Sequence, residues 1–264
     1  MQEPSVINAP GASFIELQSV DSTNNYAREL IRAHSLPERQ ANSLHGTAVF
    51  AHEQVSGKGQ RGRIWTSEKD QNIALSVILQ PSPLGLQDQF QLNVAVALAA
   101  LDLFSEYAGG GTSIKWPNDL YWQDRKAGGI LIESIVSSGL PPSSAWEWAI
   151  AGIGININQT SFAPFLRNPI SLKLITNTDY KIVSLARELA GFIRNRFSQI
   201  RNGEFAALFA RYNDHLYKKN EPVKLKKDNR SFEAMIKGVS PAGRLIVQHA
   251  FEEEFDFGEV EWVI

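Results

Sequence analysis

Ser56 to Ser67, SGKGQRGRIWTS, threads three cations (Lys58, Arg61, Arg63) between three glycines (Gly57, Gly59, Gly62) and closes on Trp65. Closely spaced glycines let backbone N–H groups approach an anion. Lysine and arginine add charge-assisted donors to phosphate or carboxylate. The letters GKGQRG fit GxGxxG, but RIWTS and NIALSVIL follow it and read as strand rather than helix. That context excludes the dinucleotide fingerprint, and the P-loop pattern GxxxxGK[ST] is missing. Taken by itself the stretch also fits a solvated basic loop.

Three further runs carry chemistry. In KWPNDLYWQDRKAGGILIE, Pro117 pins the backbone after Trp116, and Asn118 and Asp119 offer an amide and a carboxylate at a strand start. Lys126 stands before Gly128 and Gly129, which admit a ligand close to the backbone. A lysine facing a carboxylate and a phosphate would neutralise the charge that builds as an acyl phosphate forms. An ordinary turn and a surface hairpin cation would look the same. GIGININ alternates small residues with isoleucine, so one face of that strand is nearly bare. It is either a pocket floor read by Asn156 or a tightly packed core strand. DSTNNY offers Ser22, Thr23 and Asn24 at a helix start, where hydroxyls and free N–H groups face a polar ligand or simply cap the helix.

These runs need a scaffold. SFIELQSV reads as a first strand, DSTNNYARELIRA as a helix, TAVFAHEQ and NIALSVILQ as strands, and DQFQLNVAVALAALDLFSEY as a long buried helix interrupted by Asn93 and Asp102. SIKWPNDLYWQDRKAGGILIESIV reads as two strands joined at QDRK, and AWEWAIAGIGININ as another. An irregular connection, NQTSFAPFLRNPISLK, leads to helices near 182–199 and 203–217. From residue 220 short strands alternate with turns, a texture of small barrels or sandwiches, with six Lys/Arg against nine Asp/Glu over 221–264. The expected division is residues 1–219 and residues 220–264.

Composition narrows the class. The 264 residues carry a net charge of −2, 43% hydrophobic and 20% charged residues, which suits a packed globular chain and argues against broad nucleic-acid binding. There is no cysteine, which rules out disulfides and thiolate chemistry, and the five histidines lack metal-site spacing. No secretory signal or membrane-spanning run is visible, so a cytoplasmic location is expected.

In order along the chain, DSTN, QxxGxGxxGRxW, KWPND followed by KxxGILxE, and GxGxNxN resemble biotin protein ligase. KWPND with KAGGILIE is the most diagnostic piece. The resemblance implies an α+β fold: a mixed β-sheet backed by helices, like class II aminoacyl-tRNA synthetase catalytic domains, followed by a small SH3-like β-barrel. It implies that biotin and ATP form biotinyl-5′-adenylate, and that biotin passes to one lysine of a biotin carboxyl carrier domain. It assigns biotin to Ser22, Thr23, Asn24, Gln54, Gly57, Gly59, Arg61, Lys126 and Gly129. The nucleotide falls to Arg61, Arg63, Trp65, Asn118, Lys126 and Asn156, and the chemistry to Lys126, Arg61, Arg63 and Asp119. Magnesium would come with ATP near Asp119, and Phe162, Phe165 and Trp65 are candidates to cover the base. The loop departs from the family: Gln60 and Lys58 stand where arginine is frequent. A lipoate or octanoate ligase of the same superfamily is the alternative, and a non-catalytic nucleotide- or RNA-binding module a remoter one. About a dozen residues precede the first expected strand, too few for a DNA-binding domain, so a monofunctional enzyme without DNA or membrane as partner is expected. Dimerisation through a sheet edge stays open.

Overall fold

The computed structural model describes residues 5–9, 12–33, 44–137 and 146–263. His34, and residues 1–4 and 10–11 of the N-terminal stretch, lie outside them. An eight-stranded sheet forms the centre, in the order β1 (Ser5–Ala9), β2 (Ala12–Leu17), β3 (Ala48–Ala51), β4 (Asn72–Leu79), β8 (Trp146–Asn156), β7 (Arg125–Val136), β6 (Asp119–Trp122), β5 (Thr112–Lys115). Neighbours are antiparallel except β2 and β3, which run parallel because α1 (Thr23–Ala33) makes the crossover between them.

One face of the sheet is closed by α2 (Gln89–Ala108), which is in turn covered by α4 (Ile182–Arg201) and α5 (Phe205–Asp214). Enclosed on all sides, α2 buries residues Val94 through Leu101 without a polar stripe. The two polar residues in its apolar run both have partners. Asn93 Nδ2 donates to Pro117 O at 3.0 Å, and Asp102 is paired with Arg196 of α4 and Arg211 of α5. A short helix, α3 (Leu172–Thr176), is N-capped by Ser171.

The other face matters for function. Along β8, Ala149, Ala151, Ile153 and Ile155 enter the core beneath α2. The alternate residues are Trp148, Ile150, Gly152, Gly154 and Asn156. Trp148 and Ile150 pack with Ala27 and Ile31 of α1. Past the start of α1 the side chains shrink to glycine, and the sheet becomes an open floor.

Several expectations are corrected. The run 113–136 holds three strands, not two, because WPN itself makes a tight turn before QD makes the second. Asn118 fixes that first turn by exchanging bonds with Ile130. The strand expected first is preceded by β1, which pairs with it. Arg63 to Ser67 forms no strand beyond the single bridge of Ile64 with Lys58. The final C-terminal run splits in two: β12 (Glu252–Phe255) and β13 (Glu261–Trp262) flank the sheet β12-β11-β10-β9-β13, with β9 (Pro222–Lys227), β10 (Arg230–Val239) and β11 (Leu245–Gln248). Among the described residues β12 and β13 do not pair with each other, so the hydrogen bonding of the expected barrel is not closed. This unit docks on the WPN turn: Trp116 Nε1 donates to Gly243 O at 2.9 Å, and the Phe257 ring meets Trp116 edge-on at 6.1 Å.

Candidate active site

Register lays out the floor. One row across the sheet reads Ala74, Gly154, Gly129, Asp119, and the row beside it reads Ser76, Gly152, Leu131. The rows are two residues apart along the strands, about 6.8 Å. Glycine is required here. A Cβ on Gly152 would fall 2.3 Å from Asn24 Oδ1, and one on Gly128, behind the floor, 2.6 Å from Gly154 O.

At one end sits a buried polar cluster. Gln54 Oε1 accepts from Thr23 N at 2.8 Å and lies 3.1 Å from Thr23 Oγ1, so the cap of α1 comes from a distant side chain. Ser22, Thr23 and Asn24 are all buried. The Ser76 hydroxyl donates to Asn24 Oδ1 at 2.6 Å and lies 2.7 Å from Thr23 Oγ1. Asn24 Nδ2 donates to Glu133 Oε2 at 2.9 Å, and Arg28 pairs with Glu133 at 3.2 Å.

At the other end Lys126 Nζ is 2.6 Å from Asp119 Oδ1, above Gly129. The backbone of Lys126 is clamped on the side away from β6 as well: its N–H donates to Asn168 O and its carbonyl accepts from Ile170 N, both at 2.9 Å. Asn156 Nδ2 donates to Ile170 O at 3.0 Å, and Asn118 Nδ2 to Ile130 O at 2.6 Å. Both amides therefore hold backbone around Lys126 and Asp119.

The glycine-cation loop folds over the floor as a small hairpin. Gly59 N donates to Arg63 O at 2.7 Å, and Trp65 N to Gly57 O at 2.9 Å. A Cβ on Gly57 would lie 2.3 Å from Trp65 O, so only glycine permits the crossing. Arg61 (φ 55°) and Gly62 (φ 73°) take left-handed conformations at the tip. Lys58 Nζ donates to Asn25 Oδ1 at 2.5 Å. Arg61 lies 4.8 Å from the Phe257 ring centroid and donates to the carbonyls of Phe257 and Gly258. Arg63 is exposed. Trp65 rests on Gly154, and among the described residues its buried Nε1 has no partner, nor has the buried Gln60 Oε1. Phe165 is exposed and Phe162 half-buried, neither in the core.

The sequence reading missed Ser76, Glu133 and Lys115. Ser76 is the one hydroxyl inside the apolar strand NIALSVIL, and Glu133 ends the KAGGILIE run. Lys115 is the first letter of KWPND. Burial pushes its pKa down to about 8; Asp119 works against the shift, while Lys126, Arg63 and Arg167 add to it. Burial also raises the Tyr121 phenol well above its usual value.

Two family models match the chain: the Biotin/lipoate A/B protein ligase family over residues 17–141, and the biotin protein ligase C-terminal domain over residues 220–262. The biotin–[acetyl-CoA-carboxylase] ligase of Paracoccus denitrificans is 30% identical over 247 residues, 88% of this chain and 92% of that protein. The bifunctional ligase/repressor BirA of Bacillus spizizenii is 36% identical over 151 residues, 57% of this chain but 42% of that protein. The chain thus spans well under two thirds of the first curated relatives it matches, 42% and 37% of two Bacillus proteins. In fold it is similar to the biotin protein ligase from Aquifex aeolicus in complex with biotin and ATP, with a TM-score of 0.75, 24% identity, and 95% and 99% of the two chains covered.

Proposed function

The chain belongs to the biotin protein ligase family, and we propose that it condenses biotin with ATP to biotinyl-5′-adenylate and transfers the biotinyl group to a lysine of a carboxyl carrier domain. The observation that carries this is the pairing of two unlike subsites on one glycine floor. A neutral hydrogen-bonding cluster (Ser22, Thr23, Asn24, Gln54) lies a row away from an ionic one (Lys126 paired with Asp119). A molecule with a ureido head, an apolar body and a carboxylate tail fits that sequence of environments.

Thr23 occupies Gln54 Oε1, which leaves the Gln54 amide nitrogen and the Ser22 hydroxyl for the ureido group. Gly152, Gly154 and Leu131 supply the apolar wall. Two anions must then meet, the carboxylate and the α-phosphate of ATP, which enters as its magnesium complex. Lys126 neutralises both as a carboxylate oxygen bonds to the α-phosphorus and pyrophosphate leaves. Arg61 and Arg63 hold the phosphate side, and the loop with Trp65 keeps water from the mixed anhydride. In the second step a neutral lysine amine attacks the acyl carbon and AMP leaves. Asp119 steadies Lys126 throughout, and Asn118 and Asn156 act through the backbone they hold.

Biotin-dependent exchange of pyrophosphate into ATP, followed by labelling of an apo carrier domain, tests the reading. Exchange with lipoate or octanoate and none with biotin would replace it with the sister activity. Exchange with no acid would end it.

A further inference from the structure

Lys115 is the only buried lysine or arginine among the described residues, at 8% exposure. No carboxylate lies in ion-pair contact with it among the described residues. Rings hold it instead: Tyr121 at 4.8 Å, Trp262 at 5.1 Å and Tyr217 at 6.0 Å, with the Tyr121 hydroxyl at 3.2 Å. Two of these walls come from outside the catalytic sheet. Tyr217 follows α5, and Trp262 sits on β13, the last strand of the C-terminal unit. Its own strand places Lys115 opposite Asp119.

That position answers a problem in the site. Lys126 is the cation that must draw two anions together, yet Asp119 neutralises it at 2.6 Å. One carboxylate and one ammonium sum to zero. A second ammonium behind the carboxylate leaves the cluster with a net positive charge facing the floor. A carboxylate partner for Lys115 would cancel that surplus, whereas aromatic faces attract a cation without cancelling its charge. A buried charge held this way destabilises the fold relative to an apolar side chain of like size, so its presence calls for a use.

We infer that Lys115 is a positioning residue for adenylation: caged by Tyr121, Tyr217 and Trp262, it keeps the Asp119–Lys126 pair net cationic toward ATP, and the C-terminal unit sets its place through Trp262. The inference rests on the ligase reading. The groups facing Lys115 are Asp119 and Tyr121 from β6, Lys126 from β7, Arg63 from the loop, Arg167 from the connection before α3, and Tyr217. Burial lowers its pKa only to about 8, so the ammonium keeps its charge at neutral pH.

The test compares Lys115→Met, Lys115→Arg and Trp262→Leu with the wild-type chain in ATP–pyrophosphate exchange and in thermal unfolding. Lys115→Met is expected to melt at or above the wild-type temperature. Its kcat/KM for ATP should nevertheless fall about tenfold or more, with KM for biotin unchanged. Lys115→Arg should recover part of the loss, and Trp262→Leu should weaken use of ATP, not of biotin. A structural role predicts the opposite pattern: lower melting, with ATP and biotin affected alike. Wild-type kcat/KM for ATP in Lys115→Met, or in Trp262→Leu should the first variant not fold, overturns the inference alone. No exchange by the wild-type chain overturns the ligase reading and this inference with it.

Discussion

The indole of Trp65 lies directly on Gly154: a Cβ at Gly154 would fall 2.3 Å from Cε2 and 2.5 Å from Cζ2 of the ring. The glycine-cation loop is thus seated on the floor by its last residue, and the bare face of β8 is what admits it. Gly154→Ala should leave the sheet intact, because that residue has no positive φ, and should lift Trp65 and the loop with it. Trypsin cleavage after Arg61 and Arg63 is then expected to quicken, and KM for ATP to rise. Unchanged cleavage and unchanged KM would show that the indole finds another seat.

Lys126→Ala should abolish most adenylation. Removing one donor aimed at developing charge lowers a rate by roughly 10²–10³. The Lys126–Asp119 pair is partly exposed, so the loss of stability should stay within about 1 kcal/mol. Biotin-dependent pyrophosphate release near the wild-type rate would remove Lys126 from its assigned role.

The loop tip rests on the C-terminal unit through Arg61, Phe257 and Gly258. Arg61 cannot both hold this turn and reach a phosphate, so biotin with ATP should draw it away and order the loop as a lid. Limited proteolysis near Arg61 is expected to slow when both ligands are added, and Phe257→Ala should speed cleavage without them. Equal rates in all conditions would sink the lid.

Much of this site was legible as residues and little of it as connections. The bare face of GIGININ, the glycines after Lys126 and the helix start at Thr23 follow from local pattern. Asn118 and Asn156 read as ligand groups, and the sequence did not show that each also ties down backbone through Nδ2, because an amide near a turn and an amide near a pocket have the same local signature. Lys115 escaped notice for a related reason. Its cage is assembled from Tyr121, Tyr217 and Trp262, up to 147 positions away along the chain, and no periodicity reports such a meeting. The two-strand reading of 113–136 failed because a two-residue polar turn is easy to see, whereas WPN becomes a turn only once Asn93 and Ile130 hold it.

Gln60 is a neutral residue between Lys58 and Arg61, and its Oε1 is buried without a partner among the described residues. An amide offers a neutral donor where guanidinium would offer a fixed charge and a fork. Gln60→Arg should therefore slow escape of the adenylate into solution, measured by trapping released biotinyl-adenylate after a single turnover. A release rate equal to wild type would place the grip on Arg61 and Arg63 alone.

The buried charge at Lys115 also has a signature in stability against pH. Its pKa is near 10.5 when unfolded and about 8 when folded. Between those values the unfolded chain binds a proton that the folded chain does not, so the wild-type chain gains stability from this group as pH rises through that window. Below pH 8 the unfavourable burial is felt in full, on the order of 3 kcal/mol. Lys115→Met lacks the charge at every pH. Its advantage over wild type in denaturant unfolding should therefore be largest at neutral pH and shrink toward zero as pH approaches 10.5. Other tyrosines and lysines titrate in both proteins and cancel in the difference. A gap that stays constant from pH 7 to pH 10 would mean that Lys115 holds its proton in the folded chain as tightly as in the unfolded one, so that burial in the cage does not disfavour its charge.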